Sequence, residues 1–281
     1  PGFIDAHGHM ISYAALLLGV DLVGSPSEIE MLERVSSYKK EHNKAVIIGM
    51  GWDQSLWKDD AFPDNGKLNE MFPKTPVCLY RIDGHSALVN NSFIGLLGDF
   101  EVPNGGAVLQ DEFGNYTGLF VDAALQLFEG VLPKYTNDEM KPKLLEIQEE
   151  LLAHGVTGVH EAGVDADELS LLDEMVSSNA LKLNIYAMLA PSEENKNFVR
   201  KNGVYRNKSL LVRSFKAYVD GALGSSGALL KEPYHDHPNY NGLSLSSVSE
   251  LNRLRDFCLS NGYQLNCHGI GDAAVSQILE M

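Results

Sequence analysis

The sequence predicts an α/β protein of the (β/α)8 TIM-barrel type, incomplete at about five barrel strands, with an α+β subdomain inserted after the first strand. Three observations predict it. From Val156 onward, short apolar runs alternate with segments of helical spacing, the pattern of a parallel sheet with crossover helices. The chain opens on a strand-like run, Pro1-Gly2-Phe3-Ile4-Asp5-Ala6-His7-Gly8-His9, that ends in two histidines. Between these stretches, residues 21–135 break the barrel rhythm.

Taken in order, residues 1–20 form the first barrel strand and its helix. On a strand, residues i and i+2 point to one face, so His7 and His9 project together from its carboxyl end and can hold one divalent cation. Read alone, the pair equally describes two solvated turn histidines. In the insertion, Ser25-Pro26-Ser27-Glu28 reads as a capping box with Pro at the first helical position, opening a helix to about His42. Residues 45–50 and 76–82 read as strands, and 107–119 as a hairpin turning at Glu112-Phe113-Gly114-Asn115. Asp83-Gly84-His85 ends a strand ahead of a helix from Asn90.

Thr136-Asn137-Asp138-Glu139 caps a helix running to His154, which returns the chain to the barrel. Residues 136–281 then carry barrel strands two to five, at 156–160, 183–189, 212–219 and 263–267. Apolar residues at helical spacing mark helices over 165–178, 193–201 and 247–260. Five strands are fewer than a closed (β/α)8 barrel requires, so an exposed edge beside His268 and an uncovered apolar interior are expected. Such an edge invites a partner, either a second copy of the chain, making a homo-oligomer, or the chain's own missing half.

The 281 residues, 44% of them hydrophobic, suffice for a sizeable core. A net charge of −16 argues against nucleic acid and anionic membrane surfaces as partners. No stretch approaches the roughly 20 apolar residues that cross a bilayer, and the expected location is cytoplasmic. Cys78, Cys258 and Cys267 show no metal-type spacing and read as reduced packing residues.

Several further segments carry or suggest chemistry. Lys216 sits inside the apolar strand Ser214-Phe215-Lys216-Ala217-Tyr218-Val219. A buried ammonium must be paired, neutralised or modified. As a carbamate it would bridge two metals; paired with Glu161 or Asp220 it would be structural. His268 ends a strand just before a helix start, a ligand position in barrels and also an ordinary structural one. His85 is a substrate contact leaning over the barrel mouth, or a loop histidine. His160, beside Glu161, is either a substrate group or a packed core residue. Trp52 and Trp57 line an apolar pocket or belong to the core. Gly224-Ser225-Ser226-Gly227 lacks the Lys-Ser/Thr ending of a phosphate loop and reads as a flexible loop at the mouth.

These segments, with Gly51-Trp52-Asp53-Gln54, Arg81-Ile82-Asp83-Gly84-His85, His154-Gly155-Val156-Thr157-Gly158-Val159-His160-Glu161, Asp220-Gly221-Ala222-Leu223-Gly224-Ser225 and His268-Gly269-Ile270-Gly271-Asp272, resemble the amidohydrolase superfamily. More narrowly they resemble its YtcJ-like branch, which includes N-substituted formamide deformylases. The resemblance implies a metal-dependent hydrolase of carbon–nitrogen bonds, amide or formamide-like, acting through a metal-activated water on a small-molecule substrate. It implies His7, His9, Lys216 and His268 as ligands of one or two divalent ions, zinc foremost, with Lys216 and His268 as the catalytic pair. His85, Asp83, Trp52, His160 and Asp220 would contact substrate. The family's sixth-strand histidine and eighth-strand aspartate have no match here, so the chain is expected to be a piece of a longer enzyme, inactive alone. The rival expectation is a catalytically incomplete pseudo-enzyme or regulatory barrel.

Overall fold

The computed structural model describes residues 2–58, 61–128 and 130–281. The chain opens with β1 (Phe3–Gly8) and α1 (Met10–Leu16), then enters a second sheet. That sheet comprises β2 (Val20–Asp21), α2 (Glu28–Glu41), β3 (Ile47–Trp52), α3 (Gly66–Met71), β4 (Val77–Arg81), β5 (Ser86–Val89), α4 (Asn91–Leu97), β6 (Gly106–Gln110) and β7 (Tyr116–Asp122). Its strand order is β2-β3-β4-β5-β7-β6, parallel through β4 and antiparallel beyond.

Both faces of this sheet are filled. On one, Met31, Leu32 and Val35 of α2 and Leu68 of α3 pack on Ile47, Val77, Leu79, Leu88 and Leu119. On the other, Phe93 of α4 and Phe128 cover Cys78, Ala87, Val89 and Phe120. Two local expectations shift. Ser27, not Ser25, caps α2, its hydroxyl accepting from the Glu30 N–H; both serines meet the Ser-x-x-Glu spacing, but the buried Ser25 hydroxyl donates to Leu22 O, and Pro26 therefore precedes the cap. His85 does not end a strand. The chain reverses after β4 through Gly84, whose φ of 70° favours glycine, and His85 leads into β5.

The first sheet resumes with α5 (Asn137–Ala153), β8 (Val156–Val164), α6 (Ala166–Ser177), β9 (Asn184–Leu189), α7 (Glu193–Asn202), β10 (Tyr205–Asn207), β11 (Leu210–Tyr218), α8 (Val248–Ser260), β12 (Gln264–His268) and α9 (Asp272–Leu279). Capping boxes at Thr136–Glu139, Asp165–Glu168 and Ser247–Glu250 fix the starts of α5, α6 and α8. Five parallel strands run in the order β1-β8-β9-β11-β12, and β10 adds a short antiparallel hairpin to β11. Among the described residues the sheet is open, with β1 at one edge and β12 and the short β10 at the other. The fold is thus α/β with one parallel-based and one mixed sheet.

The helix-facing side of the first sheet carries Val159, Ile185, Ala187, Leu189, Val212, Phe215 and Ala217, all buried in one core. Strand alternation places Tyr186, Lys216, Tyr218, Gln264, Asn266 and His268 on the opposite side. The expected apolar interior is therefore replaced by a polar face. Phe3 and Ile4, 74% and 62% exposed, mark the open β1 edge. Among the described residues, no helix is long and apolar enough to cross a membrane.

Candidate metal and substrate site

β1 ends in His7 and Gly8, and α1 starts directly after His9. The first N–H groups of α1, from Met10 and Ile11, donate to the buried Glu161 carboxylate at 2.7 and 3.0 Å. Glu161 thereby fixes the turn carrying His9, whose ring centroid lies 5.3 Å from that of His7. On β11, Lys216 is buried and its Nζ stands 2.8 Å from His7 Nε2. The same Nζ lies 5.2 Å from the Tyr218 ring centroid. Register pairs Tyr218 with His268 across β11 and β12, their rings 5.5 Å apart, and the His85 ring follows at 5.3 Å from His268. His9, His7, Lys216, Tyr218, His268 and His85 thus form a continuous row across the two sheets.

Electrostatics pushes most of this row toward neutral nitrogen. Desolvation lowers the pKa of His7, with Lys216 reinforcing it; His9 follows through desolvation and then its neighbours His7 and Lys216. Desolvation, then His85 and Lys216, lowers His268, and desolvation lowers Lys216. His85 runs the other way. Burial opposes its cation, but the Asp122 hydrogen bond and charge, with Asp83 and Asp220 behind them, outweigh burial and raise its pKa. Neutral imidazoles are what metal ligation requires. Among the described residues, His268 Nε2 is buried without a hydrogen-bond partner, an orphaned lone-pair site beside Lys216 and His85.

Among the described residues, Lys216 is not held by a carboxylate. Glu161 serves α1, and both oxygens of the fully buried Asp220 are taken by backbone: Ile270 N–H at 3.0 Å, Gly271 N–H at 2.7 Å and Leu229 N–H at 2.8 Å. Asp220 so ties the loop after β11 to the start of α9. Trp52 is buried in the second sheet, its indole N–H donating to Leu79 O at 2.7 Å, away from the row. Trp57 likewise donates to Ser25 O. His160 packs against Tyr186 in a tilted arrangement, ring centroids 4.8 Å apart, on the polar face. Asp83 accepts from Arg81 and from the His85 backbone N–H at 3.0 Å. Among the described residues, no three His, Cys, Asp or Glu side chains cluster as a metal site, because a lysine separates the histidine pair from His268 and the nearby acids hold backbone.

Two residues escaped the sequence reading. Tyr218 was signalled, lying two positions after Lys216 on the same strand face. Asp122, at the end of β7, had no local signal. Its Oδ1 lies 2.7 Å from His85 Nδ1, and its carboxylate sits so close to Gly221 and Gly227 that a Cβ on either would meet it at 2.4 or 2.1 Å. Arg81 supports the same corner, donating to Gln54 at 2.8 Å and Asp53 at 3.0 Å, and packing under Gly224.

Protein LONG AFTER FAR-RED 3 of Arabidopsis thaliana is 30% identical over 297 residues, covering 100% of this chain and 51% of that protein. YtcJ of Bacillus subtilis (strain 168) is 28% identical, covering 99% and 54%. The N-substituted formamide deformylase of Arthrobacter pascens is 24% identical, covering 100% and 54%. The chain spans about half the length of the curated relatives it matches. A crystal structure of an uncharacterized metal-dependent hydrolase from Pyrococcus horikoshii OT3 superposes with a TM-score of 0.71 at 28% identity, covering 100% of this chain and 55% of that one. The Amidohydrolase family model matches residues 1–281, and with it the row of histidines around Lys216 acquires its context: the chain belongs to the amidohydrolase family.

Proposed function

We propose that this chain is the ligand-bearing part of a metal-dependent hydrolase that cleaves a carbon–nitrogen bond, amide or formamide-like, in a small molecule, on an incomplete (β/α)8 barrel. The observation that carries the reading is the 2.8 Å contact between Lys216 Nζ and His7 Nε2, made by residues on two different strands of the open sheet. The donor set fits a divalent ion. Three imidazoles are biased toward their neutral form, and His268 Nε2 has no other partner. His7, His9, Lys216 and His268 would hold the metal, zinc being our choice among the ions that imidazole suits, with Lys216 bridging two ions once carboxylated. The ion supplies Lewis acidity, polarising the scissile carbonyl and making water nucleophilic near neutral pH.

The protein's own contribution is placement. Glu161 holds the β1–α1 turn, Asp220 holds the loop that follows His268, and the second sheet brings His85 to the mouth. The deformylase among the relatives supports the formamide-like substrate. A catalytically incomplete barrel is the second reading, favoured by the lack of a three-residue His, Cys, Asp or Glu cluster among the described residues.

Metal content of this chain and of any longer polypeptide its gene encodes, measured beside hydrolysis of N-substituted formamides with and without chelator, separates the two. Stoichiometric metal lost with His7→Ala and chelator-sensitive turnover by the longer polypeptide support the hydrolase. Absence of both, with the fold intact, favours the incomplete barrel.

A further inference from the structure

The motifs around Trp52 and Arg81 find no use in metal holding, yet they converge on one side chain. Arg81, only 5% exposed, is pinned by Gln54, Asp53 and Asp83. Asp83 accepts the His85 backbone N–H. The His85 carbonyl accepts the Asp122 N–H at 2.8 Å, and the Asp122 carboxylate takes His85 Nδ1. Backbone and ring of His85 are therefore both fixed.

The arrangement is costly at Asp122. This residue sits at φ 50°, a left-handed conformation uncommon outside glycine, and its Oδ2 is buried with no partner among the described residues. A core histidine would need neither. The ring so held is partly open, faces His268 at 5.3 Å, and lies at the junction of the two sheets.

We propose that the inserted sheet presents His85 as a substrate-binding group and that Asp122 is its positioning residue. By accepting Nδ1–H, the carboxylate fixes the tautomer and leaves Nε2, on the far edge of the ring, as the contact atom. In the neutral ring, populated at alkaline pH, Nε2 accepts a hydrogen bond, which there selects substrates whose scissile nitrogen still carries a hydrogen. The substrate half of this proposal rests on the carbon–nitrogen reading above; the positioning half does not.

Imidazole 15N spectra of this chain at alkaline pH, where the ring is neutral, test both halves. His85 should show the Nδ1–H tautomer in the wild type. Asp122→Gly removes the carboxylate at a backbone angle glycine tolerates and should shift His85 toward Nε2–H. Asp122→Asn keeps an oxygen acceptor and should restore the wild-type pattern. N-methylformamide should move the His85 resonances and bind about tenfold more tightly than N,N-dimethylformamide, the worth of one hydrogen bond.

A wild-type ring already in the Nε2–H form, or an Asp122→Gly ring unchanged from wild type, overturns the positioning role. Equal responses to the two formamides overturn the N–H contact. If the tautomer switches as expected but neither formamide binds, the carbon–nitrogen substrate reading fails while Asp122 keeps its role.

Discussion

β5 of the second sheet buries every residue from Ser86 to Val89, whereas β1 of the first leaves Phe3 through His7 exposed. The contrast extends to whole layers. The second sheet is sealed by helices and aromatic clusters on both faces, while the first is sealed only on its helix side and offers a polar face elsewhere. Chemistry-bearing side chains gather on the unsealed face, and the sealed sheet contributes a rigid rim from which His85 and Asp122 project. The difference teaches a division of labour: one sheet exposes the proposed ligands, and the other stores the stability that holds a costly group in place.

If that division is right, large truncations should hurt most in the sealed sheet. Phe120→Ala removes a fully buried ring packed on Phe93, Phe100 and Phe128 and should cost about 3–5 kcal/mol in urea unfolding. Glu161→Gln tests the junction where the open sheet meets α1. It sets an amide NH2 against a helix N–H that now has a carboxylate oxygen, and should cost about 1–3 kcal/mol, with His9 side-chain resonances broadened.

A smaller effect is expected at Glu168, whose carboxyl burial raises to about 7 and whose side chain caps Asp165 N–H. Between its ordinary value and about 7 the folded state binds the proton more tightly than the unfolded one, so stability falls as pH rises through that window. Glu168→Gln keeps the cap and removes the titration. Its stability relative to wild type should rise from pH 4 to pH 8 by on the order of 1 kcal/mol, and parallel pH profiles would refute the assignment. Smallest of all, Ile4→Ala on the open edge should change stability by less than about 0.5 kcal/mol. A loss comparable to that of Phe120→Ala would mean that β1 is covered in solution, by a second copy or by further polypeptide.

What could be read from the sequence follows the range of the forces involved. His7, His9, Lys216 and His268 were legible because two-residue alternation and strand ends are local facts, and the Thr136 capping box was legible for the same reason. Tyr218 was available to that same alternation and was passed over. The pairing of His85 with Asp122 was not legible, since it joins residues far apart in sequence through the antiparallel contact of β5 with β7. Nor was the fate of Asp220, a carboxylate that resembles a site group in the sequence and is wholly occupied by three backbone amides in the fold. The brief β10, of polar composition, carried no periodic signal.

Gly221 and Gly227 press their Cα atoms against the Asp122 carboxylate from the loop after β11. The Gly221 backbone also hydrogen-bonds the His268 ring, and an alanine at either position would have to expel that carboxylate. Lineages drifting at these two positions would keep every histidine and still lose the grip on His85. A census of histidines would count such descendants as intact; a census of these glycines would separate them.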